Sequence, residues 1–162
     1  MSKPINAGNA NVIGIARFTF KNGDSYEGKY QVNIERCILV KQGQGIYVTD
    51  NFDTYNGKWY NDEFNNVEFH IRYNNNAQYK GNVDPNGAMN DIGTYIFPDG
   101  SSLTSTWSQN KPISNIVYKE PLGYEWTPLS ISDNQILFTT DNHFWNEIYK
   151  EFSQESFLPV SH

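Results

Sequence analysis

GQGIYVTDNFDTYNGKW, from Gly43 to Trp59, reads as one complete β-hairpin. Side chains alternate between two faces on each side of a central turn, which is the period-two pattern of a half-buried strand. The second strand carries Tyr55, Gly57 and Trp59 at every second position, so these three residues share one face. Because Gly57 has no side chain, a neighbouring aromatic ring has room to lie across the backbone there. This segment therefore predicts two strands joined by a turn, with aromatic rings packed on one side.

The same pattern occurs four times along the chain, in units that begin at Gly14, Gly43, Val67 and Asp91. The units share an anchoring residue, a small residue two positions later and a large residue two positions after that. In chain order these columns read Tyr26, Tyr55, Tyr79 and Leu103; Gly28, Gly57, Gly81 and Ser105; and Tyr30, Trp59, Val83 and Trp107. The anchors are 29, 24 and 24 residues apart, which places about five extra residues between the first two units. Self-similarity at such a spacing predicts a repeat protein.

Turn-forming residues separate the two strands of every unit, namely Asn22-Gly23, Asn51-Phe52, Asn74-Asn75-Asn76 and Asp99-Gly100. Asn-Gly and Asp-Gly supply the positive φ values that tight hairpins require. A single hairpin is marginal in water, whereas consecutive hairpins cover each other's aromatic rows. We therefore predict a mainly β fold, an elongated single-layer antiparallel β-meander over residues 14–120 that follows an N-terminal extension of residues 1–13. The segment Asn115 to Glu120 is expected to start a fifth, truncated unit that caps the array.

The repeat columns end before Pro121, and residues 121–162 follow another pattern. We expect an irregular return segment there, with one short strand around residues 135–138. A C-terminal amphipathic α-helix is predicted from about Asn142 to Ser153, because large apolar residues recur at helical spacing on one face: Phe144, Trp145, Ile148, Tyr149 and Phe152. Such a face must be buried against something. Two arrangements stay open, packing onto the chain's own sheet and docking onto a partner or a second copy.

Composition and charge exclude several classes of function. The 162 residues carry a net charge of −6, and Lys and Arg are nowhere concentrated. A nucleic-acid-binding protein would show a basic patch, so we expect no nucleic-acid partner. The N-terminal residues lack the pattern of a signal peptide, and no apolar run is long enough for a membrane helix. These features predict a cytoplasmic protein and disfavour a membrane partner.

No constellation of residues points to catalysis. Strand alternation places His70 on the face opposite Phe69, and neither His143 nor His162 has a neighbouring Ser, Cys or carboxylate that would form a triad or a metal site. The single cysteine, Cys37, can form no intramolecular disulfide. Acidic residues that occur close together are read as solvated charges, namely Asp62 with Glu63 and Asp24 with Glu27. We therefore expect a protein that is not an enzyme and that uses no cofactor or metal.

The repeat columns resemble the MORN repeat (membrane occupation and recognition nexus), in which Gly-x-Gly, an Asp/Asn-Gly turn and Tyr-x-Gly-x-aromatic follow one another. The best matches are NGDSYEGKY, from Asn22 to Tyr30, and the hairpin quoted first. The departures are Val67 and Phe69 in place of the paired glycines of the third unit, and Leu103 and Ser105 in place of Tyr and Gly in the fourth. The resemblance covers residues 14–114 and implies an array of β-hairpins.

Function is implied by the same resemblance. MORN proteins occur mainly as scaffolds in cilia and flagella, in the cortical cytoskeleton of protists and at membrane junctions, and some arrays dimerise. The resemblance therefore implies a non-enzymatic scaffold that binds protein partners within a larger assembly, with a ciliary or flagellar axoneme or a cytoskeletal complex as its setting. Self-association is compatible with this role. A bacterial or phage MORN protein of unknown role also stays open.

Two sets of residues are candidates for binding. The rings expected to contact a protein partner, besides packing the array, are Tyr55, Trp59, Tyr79 and Trp107 on the sheet and Phe144, Trp145, Ile148, Tyr149 and Phe152 on the helix. The alternative is a phosphoinositide-binding, membrane-associated module, since such binding has been proposed for several MORN proteins. Its phosphate-holding residues would be Lys29, Lys41, Lys58 and Arg72. The acidic net charge argues against this alternative.

Overall fold

The computed structural model describes residues 11–65, 68–132 and 135–140, and every helix or strand assigned within these ranges is a β-strand. The strands are β1 Asn11–Thr19, β2 Ser25–Asn33, β3 Ile38–Val48, β4 Thr54–Tyr60, β5 Glu63–Phe64, β6 Glu68–Arg72, β7 Gln78–Val83, β8 Met89–Ile96, β9 Ser102–Ser108, β10 Lys111–Lys119, β11 Glu125–Ser132 and β12 Gln135–Thr140. The predicted mainly β fold is confirmed.

The strands form one antiparallel sheet in which neighbours along the chain are also neighbours in space. The order runs from β1 to β12 without a crossover, and the two-residue strand β5 branches off the path by pairing with the end of β4. Within the described residues, β1 and β12 form the two edges of the sheet and do not pair with each other. The sheet is therefore an open meander, as the stacked hairpins predict.

The turns between the hairpin strands have the backbone conformation that their residues indicate. Positive φ angles occur at Gly23 (96°), Phe52 (71°), Asn76 (69°) and Gly100 (88°), one in each of the four predicted turns. Gly and Asn reach this left-handed region at little cost, whereas a bulky side chain such as that of Phe52 is strained in it. The turn chemistry therefore sets the hairpin positions, with one local conflict at Phe52.

The core lies on one side of the sheet, which we call the aromatic face. Cross-strand pairing aligns one large residue from each main strand in a continuous row, because directly paired residues point to the same side. The members of this row, from β1 to β10, are Phe18, Tyr26, Tyr47, Tyr55, Ile71, Tyr79, Tyr95, Leu103 and Tyr118. Three of them, Tyr26, Ile71 and Tyr79, are almost fully buried and form the core together with Trp59 and Phe69.

Glycines next to this row provide the room that the rings need. A Cβ built at Gly57 would come within 2.6 Å of the ring carbon Cγ of Phe69, and one at Gly45 would collide with the ring of Tyr26. Real Cβ atoms do not approach other atoms so closely, so only glycine fits at these positions. The prediction that a ring lies across the glycine backbone is confirmed.

Two strands continue the sheet after Pro121, where we expected an irregular segment with one short strand. The short strand is β12, but β11 was not expected, and the prediction of an irregular return segment is wrong for Glu125–Ser132. Pro128 interrupts the alternation of β11, and the register shifts between Pro128 and Ser130. Such a bulge hides a strand from a search for strict period-two patterns. The predicted helix from about residue 142, with its five apolar residues, lies outside the described residues.

Candidate functional site

Trp59 and Trp107 occupy equivalent places in two copies of a larger structural unit, a pair of hairpins. The indole N–H of Trp59 donates to the carbonyl oxygen of Gly45 at 3.1 Å, and that of Trp107 donates to Gly93 at 2.9 Å. Each indole meets a tyrosine edge-on with a ring-centroid separation of 6.0 Å, Tyr26 for Trp59 and Tyr79 for Trp107. The two copies can therefore be compared residue by residue, 48 positions apart at their tryptophans.

The turn after each tryptophan is tied to the unit's first strand by the same two hydrogen bonds. In the first copy, the N–H of Lys41 donates to the carboxylate of Asp62 at 2.8 Å, and the N–H of Asp62 donates to the carbonyl of Lys41 at 3.1 Å. In the second copy, Met89 and Asn110 make the corresponding bonds at 2.7 and 3.1 Å. The same backbone arrangement is thus formed by a charged pair, Lys41 and Asp62, in the first copy and by a neutral pair, Met89 and Asn110, in the second.

The ammonium group of Lys41 lies on the aromatic face against two rings. Its Nζ is 5.2 Å from the ring centroid of Trp59, 5.3 Å from that of Tyr47 and 3.1 Å from a carboxylate oxygen of Asp62. Aromatic ring faces attract cations through their quadrupole, and the carboxylate adds a direct ion pair. The side chain of Lys41 is 17% exposed and that of Asp62 is 48% exposed. We call Tyr47, Trp59 and Asp62 the lysine seat.

The short strand β5 closes one side of this region. It places Phe64 with its ring centroid 4.7 Å from that of Trp59 and 5.7 Å from that of Tyr55. A cavity of about 330 Å³ lies between these rings, Lys41 and the turn that contains Gly87. The cavity therefore combines aromatic walls with one ammonium and one carboxylate group.

Farther along the sheet, the aromatic face carries a second group of rings, which we call the ring strip. It consists of Tyr73, Tyr95, Phe97 and Tyr118, all of which are half-buried. Successive ring centroids are 6.0, 5.0 and 6.4 Å apart, so the rings touch in sequence across the strands from β6 to β10. These separations make the strip at most about 17 Å long.

A hydrogen-bond network at the turn after β1 fixes Tyr47. Its hydroxyl donates to the carboxylate of Asp24, which also accepts hydrogen bonds from the N–H of Asp50 at 2.8 Å and from the side-chain amide of Asn22 at 2.6 Å. These bonds, led by that of Tyr47, lower the pKa of Asp24. Desolvation, followed by the hydrogen bond to Asp24, raises the pKa of Tyr47 to about 12. Asp24 is buried, at 7% exposure, so its interpretation as a solvated charge is wrong.

The sheet rings that the sequence selected as partner contacts are mostly interior. Trp59, Tyr79 and Trp107 are 3%, 0% and 5% exposed, so they pack the array and present almost no surface to a partner. Tyr55 is half-buried and lines the cavity. Half-buried rings lie farther along the same face, in the ring strip. The selected helix residues lie outside the described part of the chain.

The four basic residues of the phosphoinositide alternative do not form a cluster. Lys41 lies on the aromatic face in its ion pair, whereas Lys29, Lys58 and Arg72 alternate onto the opposite face. On that face, Arg72 pairs with Thr54, which is four residues from Lys58 along β4 and therefore about 13 Å away. The structure does not bring these charges together around one phosphate group.

Other groups capable of chemistry among the described residues include His70, Cys37 and the acidic side chains. The described residues contain no group of three or more His, Cys, Asp or Glu side chains that could hold a metal ion. The ring nitrogen Nε2 of His70 is 2.9 Å from Oε1 of Gln78, on the face opposite the core as predicted, and Cys37 is exposed. In the part of the chain that the structure covers, no helix has the length and apolar character to cross a bilayer.

Sequence reasoning missed the lysine seat, although a signal for it was present. The sequence alone suggests Lys41 only as a phosphate ligand and Asp62 only as a loop charge, and it gives no role to Phe64. An alignment of hairpin pairs, rather than single hairpins, places Lys41 and Asp62 against Met89 and Asn110, each 48 residues later. That comparison shows that the first hairpin pair carries a charged pair of residues where the second carries a neutral one. No protein-family profile matches the sequence, and no curated protein matches it.

Proposed function

We propose that this protein is a non-enzymatic scaffold of the MORN type that binds a protein partner on the aromatic face of its sheet. The observation that carries the proposal is the ring strip. Tyr73, Tyr95, Phe97 and Tyr118 form a contiguous row of rings that are half-buried, whereas the rings of the core are covered. Tyr and other aromatic residues dominate binding hot spots, because they offer a large, rigid contact area.

The direction of the strip favours a particular kind of ligand. The strip crosses the strands from Tyr73 to Tyr95 and from Phe97 to Tyr118, with one step along the chain at the end of β8, between Tyr95 and Phe97. A bound segment therefore lies mainly across the sheet and makes contacts through side chains rather than through a strand ladder. An amphipathic helix, with apolar residues at every third or fourth position, fits such a row of rings. Three helical turns, at about 5.4 Å each, match its length of about 17 Å.

The MORN resemblance supports the scaffold role and supplies its setting, a ciliary or flagellar axoneme or another cytoskeletal complex in the cytoplasm. The repeat architecture also supports it, because stacked hairpins give an extended surface with few internal contacts between distant units. A phosphoinositide-binding role gains no support from the separation of Lys29, Lys58 and Arg72 from Lys41.

Affinity capture from the source cell, with the full chain as bait, tests this function. The test variant is Tyr73→Ala/Tyr95→Ala, and the matched control is Arg72→Ala/Thr94→Ala, which changes the preceding residue in each case and therefore the opposite face. We expect partners to be retained by the wild type and the control and lost from the test variant, with both variants shown to be folded by circular dichroism. Equal capture by the two variants would contradict binding at the ring strip. Partners without axonemal or cytoskeletal proteins would contradict the setting.

A further inference from the structure

The fold does not need a charged pair at the lysine seat. Met89 and Asn110 make the same two hydrogen bonds in the second copy of the unit, at nearly the same lengths as those between Lys41 and Asp62. Trp107 and its bond to Gly93 also reproduce the geometry of the first copy. A neutral pair therefore satisfies every backbone group that the charged pair satisfies. The ammonium group of Lys41 and the carboxylate charge of Asp62 are therefore not required to form the turn.

The groups around Lys41 form a site that suits an alkylammonium group. The Nζ of Lys41 lies within 5.3 Å of two ring centroids and 3.1 Å from the carboxylate of Asp62. Two aromatic faces and one carboxylate form the set of groups that binds quaternary and primary ammonium ligands in aromatic cages. The chain's own lysine occupies this set, on a flexible stem that can leave it.

We propose that the lysine seat is a binding site for the ammonium group of a lysine side chain on a partner protein, and that Lys41 is its internal, exchangeable occupant. The proposal rests on the proposed function, since it supplies the chemistry of one contact on the same aromatic face. A partner lysine enters, pairs with Asp62 and displaces Lys41 into the solvent. No covalent bond changes.

The surroundings permit this exchange. The carboxylate of Asp62 is about half exposed, and the cavity of about 330 Å³ beside it is wide enough for an aliphatic stem. Its walls include Tyr55 and Phe64, which suit the methylene groups of a lysine, and Thr49 and Asn86 are polar groups of its lining. A bound lysine side chain can therefore place its methylene groups against the apolar cavity wall and its ammonium group against the carboxylate of Asp62.

The test removes the internal occupant and supplies its side chain as a free molecule. Lys41→Ala is titrated with n-butylammonium, and the indole N–H signal of Trp59 is followed by NMR, with that of Trp107 as an internal reference. We expect a saturable shift at Trp59 alone. The neutral analogue n-butanol should give at least a tenfold weaker effect, and Lys41→Ala/Asp62→Asn should lose the response to the ammonium. Wild type should bind at least tenfold more weakly than Lys41→Ala, since Lys41 competes.

Several outcomes would overturn the proposal. They are no saturable shift at Trp59, equal shifts at Trp59 and Trp107, equal binding of n-butanol, and equal affinity in wild type and Lys41→Ala. If Lys41→Ala does not fold, Lys41→Ser replaces it in the titration, because that variant also removes the ammonium group and keeps the carboxylate of Asp62. A partner protein captured through the ring strip while the seat binds no ammonium would refute this proposal and leave the proposed function intact.

The last arm identifies the source of the ammonium. A partner found by affinity capture is titrated into wild type and Asp62→Asn, with Glu63→Gln as the control for loss of one neighbouring charge. We expect Asp62→Asn to weaken binding at least tenfold and Glu63→Gln to leave it unchanged. Equal affinity for all three proteins would show that no partner lysine uses the seat.

Discussion

Gly57 lies beneath the ring of Phe69, at a distance that excludes any side chain. A Cβ at residue 57 would stand 2.6 Å from the ring carbon Cγ, inside the contact distance of carbon atoms. The ring of Phe69 in turn packs edge-on against Trp59, with ring centroids 5.7 Å apart. The absence of one side chain thus decides where two rings of neighbouring strands can meet.

Gly57→Val should therefore destabilise the array. The new side chain must push Phe69 away from Trp59, and overpacking of this kind costs about 1–3 kcal/mol. For a chain of this size we expect the melting temperature to fall by roughly 3–10 °C. Lys58→Val is the matched control, since the next residue in the strand is exposed on the opposite face. An unchanged melting temperature in Gly57→Val would contradict the packing of rings over glycine.

Phe52→Gly should stabilise the protein. Phe52 has a φ of 71° while its side chain is 78% exposed, so the strained backbone gains little from burial of the ring. The left-handed conformation costs an L-residue about 1–2 kcal/mol, part of which the flexibility of glycine in the unfolded chain offsets. We expect a gain of about 0.5–1 kcal/mol, measured by urea unfolding.

Phe52→Ala separates backbone strain from loss of the ring. Alanine keeps the Cβ that causes the strain and removes the aromatic group, so it should bring no gain in the free energy of unfolding. Phe52→Asn should fall between the alanine and glycine variants, because Asn tolerates this region, as Asn76 does in the next turn. If alanine stabilises as much as glycine, the strain at residue 52 is not the cause.

The ladder of hairpins could be predicted because its signals are local. Alternation of large and small residues identifies each strand, and Asn22-Gly23 or Asp99-Gly100 identifies a turn without reference to the rest of the chain. Strand β11 could not be predicted in this way, because Pro128 and the adjacent bulge break that alternation. Local patterns therefore define most of the sheet and fail where the ladder itself is irregular.

The lysine seat is not local, and single hairpins do not reveal it. Lys41 and Asp62 are 21 residues apart; Lys41 lies in β3, whereas Asp62 lies in the turn between β4 and β5. Alternation along β3 places Lys41 on the same face as Tyr47, but it does not show that the turn after β4 folds back against Lys41. Hydrogen bonds between the backbone of Lys41 and Asp62 make that contact, and no local pattern reveals them.

Alkaline pH should destabilise the fold through its buried tyrosines. Desolvation by burial, followed by the hydrogen bond to Asp24, raises the pKa of Tyr47 to about 12, whereas a tyrosine in the unfolded chain has a pKa of about 10. The unfolded state therefore loses its proton first. The stabilising contribution is complete below a pH of about 10 and is lost as the pH rises to about 12. Urea unfolding midpoints, measured across this range, should decline steeply.

Tyr47→Phe is the control for the alkaline decline. The variant should be less stable at neutral pH, since Asp24 loses a donor, but its midpoint should fall less between a pH of about 10 and 12 than that of the wild type. The remaining decline belongs to other buried tyrosines, such as Tyr26 and Tyr79, whose pKa burial also raises to about 12. A wild-type midpoint that is constant up to a pH of about 12 would contradict the burial of these phenols.

Lys41→Met/Asp62→Asn should fold with nearly unchanged stability, because it installs the pair that the second copy of the unit already uses at Met89 and Asn110. A partly exposed ion pair contributes about 0–1 kcal/mol, and the methionine keeps an apolar stem against Trp59. We expect the free energy of unfolding to change by no more than about 1 kcal/mol in urea. The ion pair is then dispensable for folding, as a binding role requires. A loss of several kcal/mol would instead show that the seated lysine holds the sheet together, and the site would be structural.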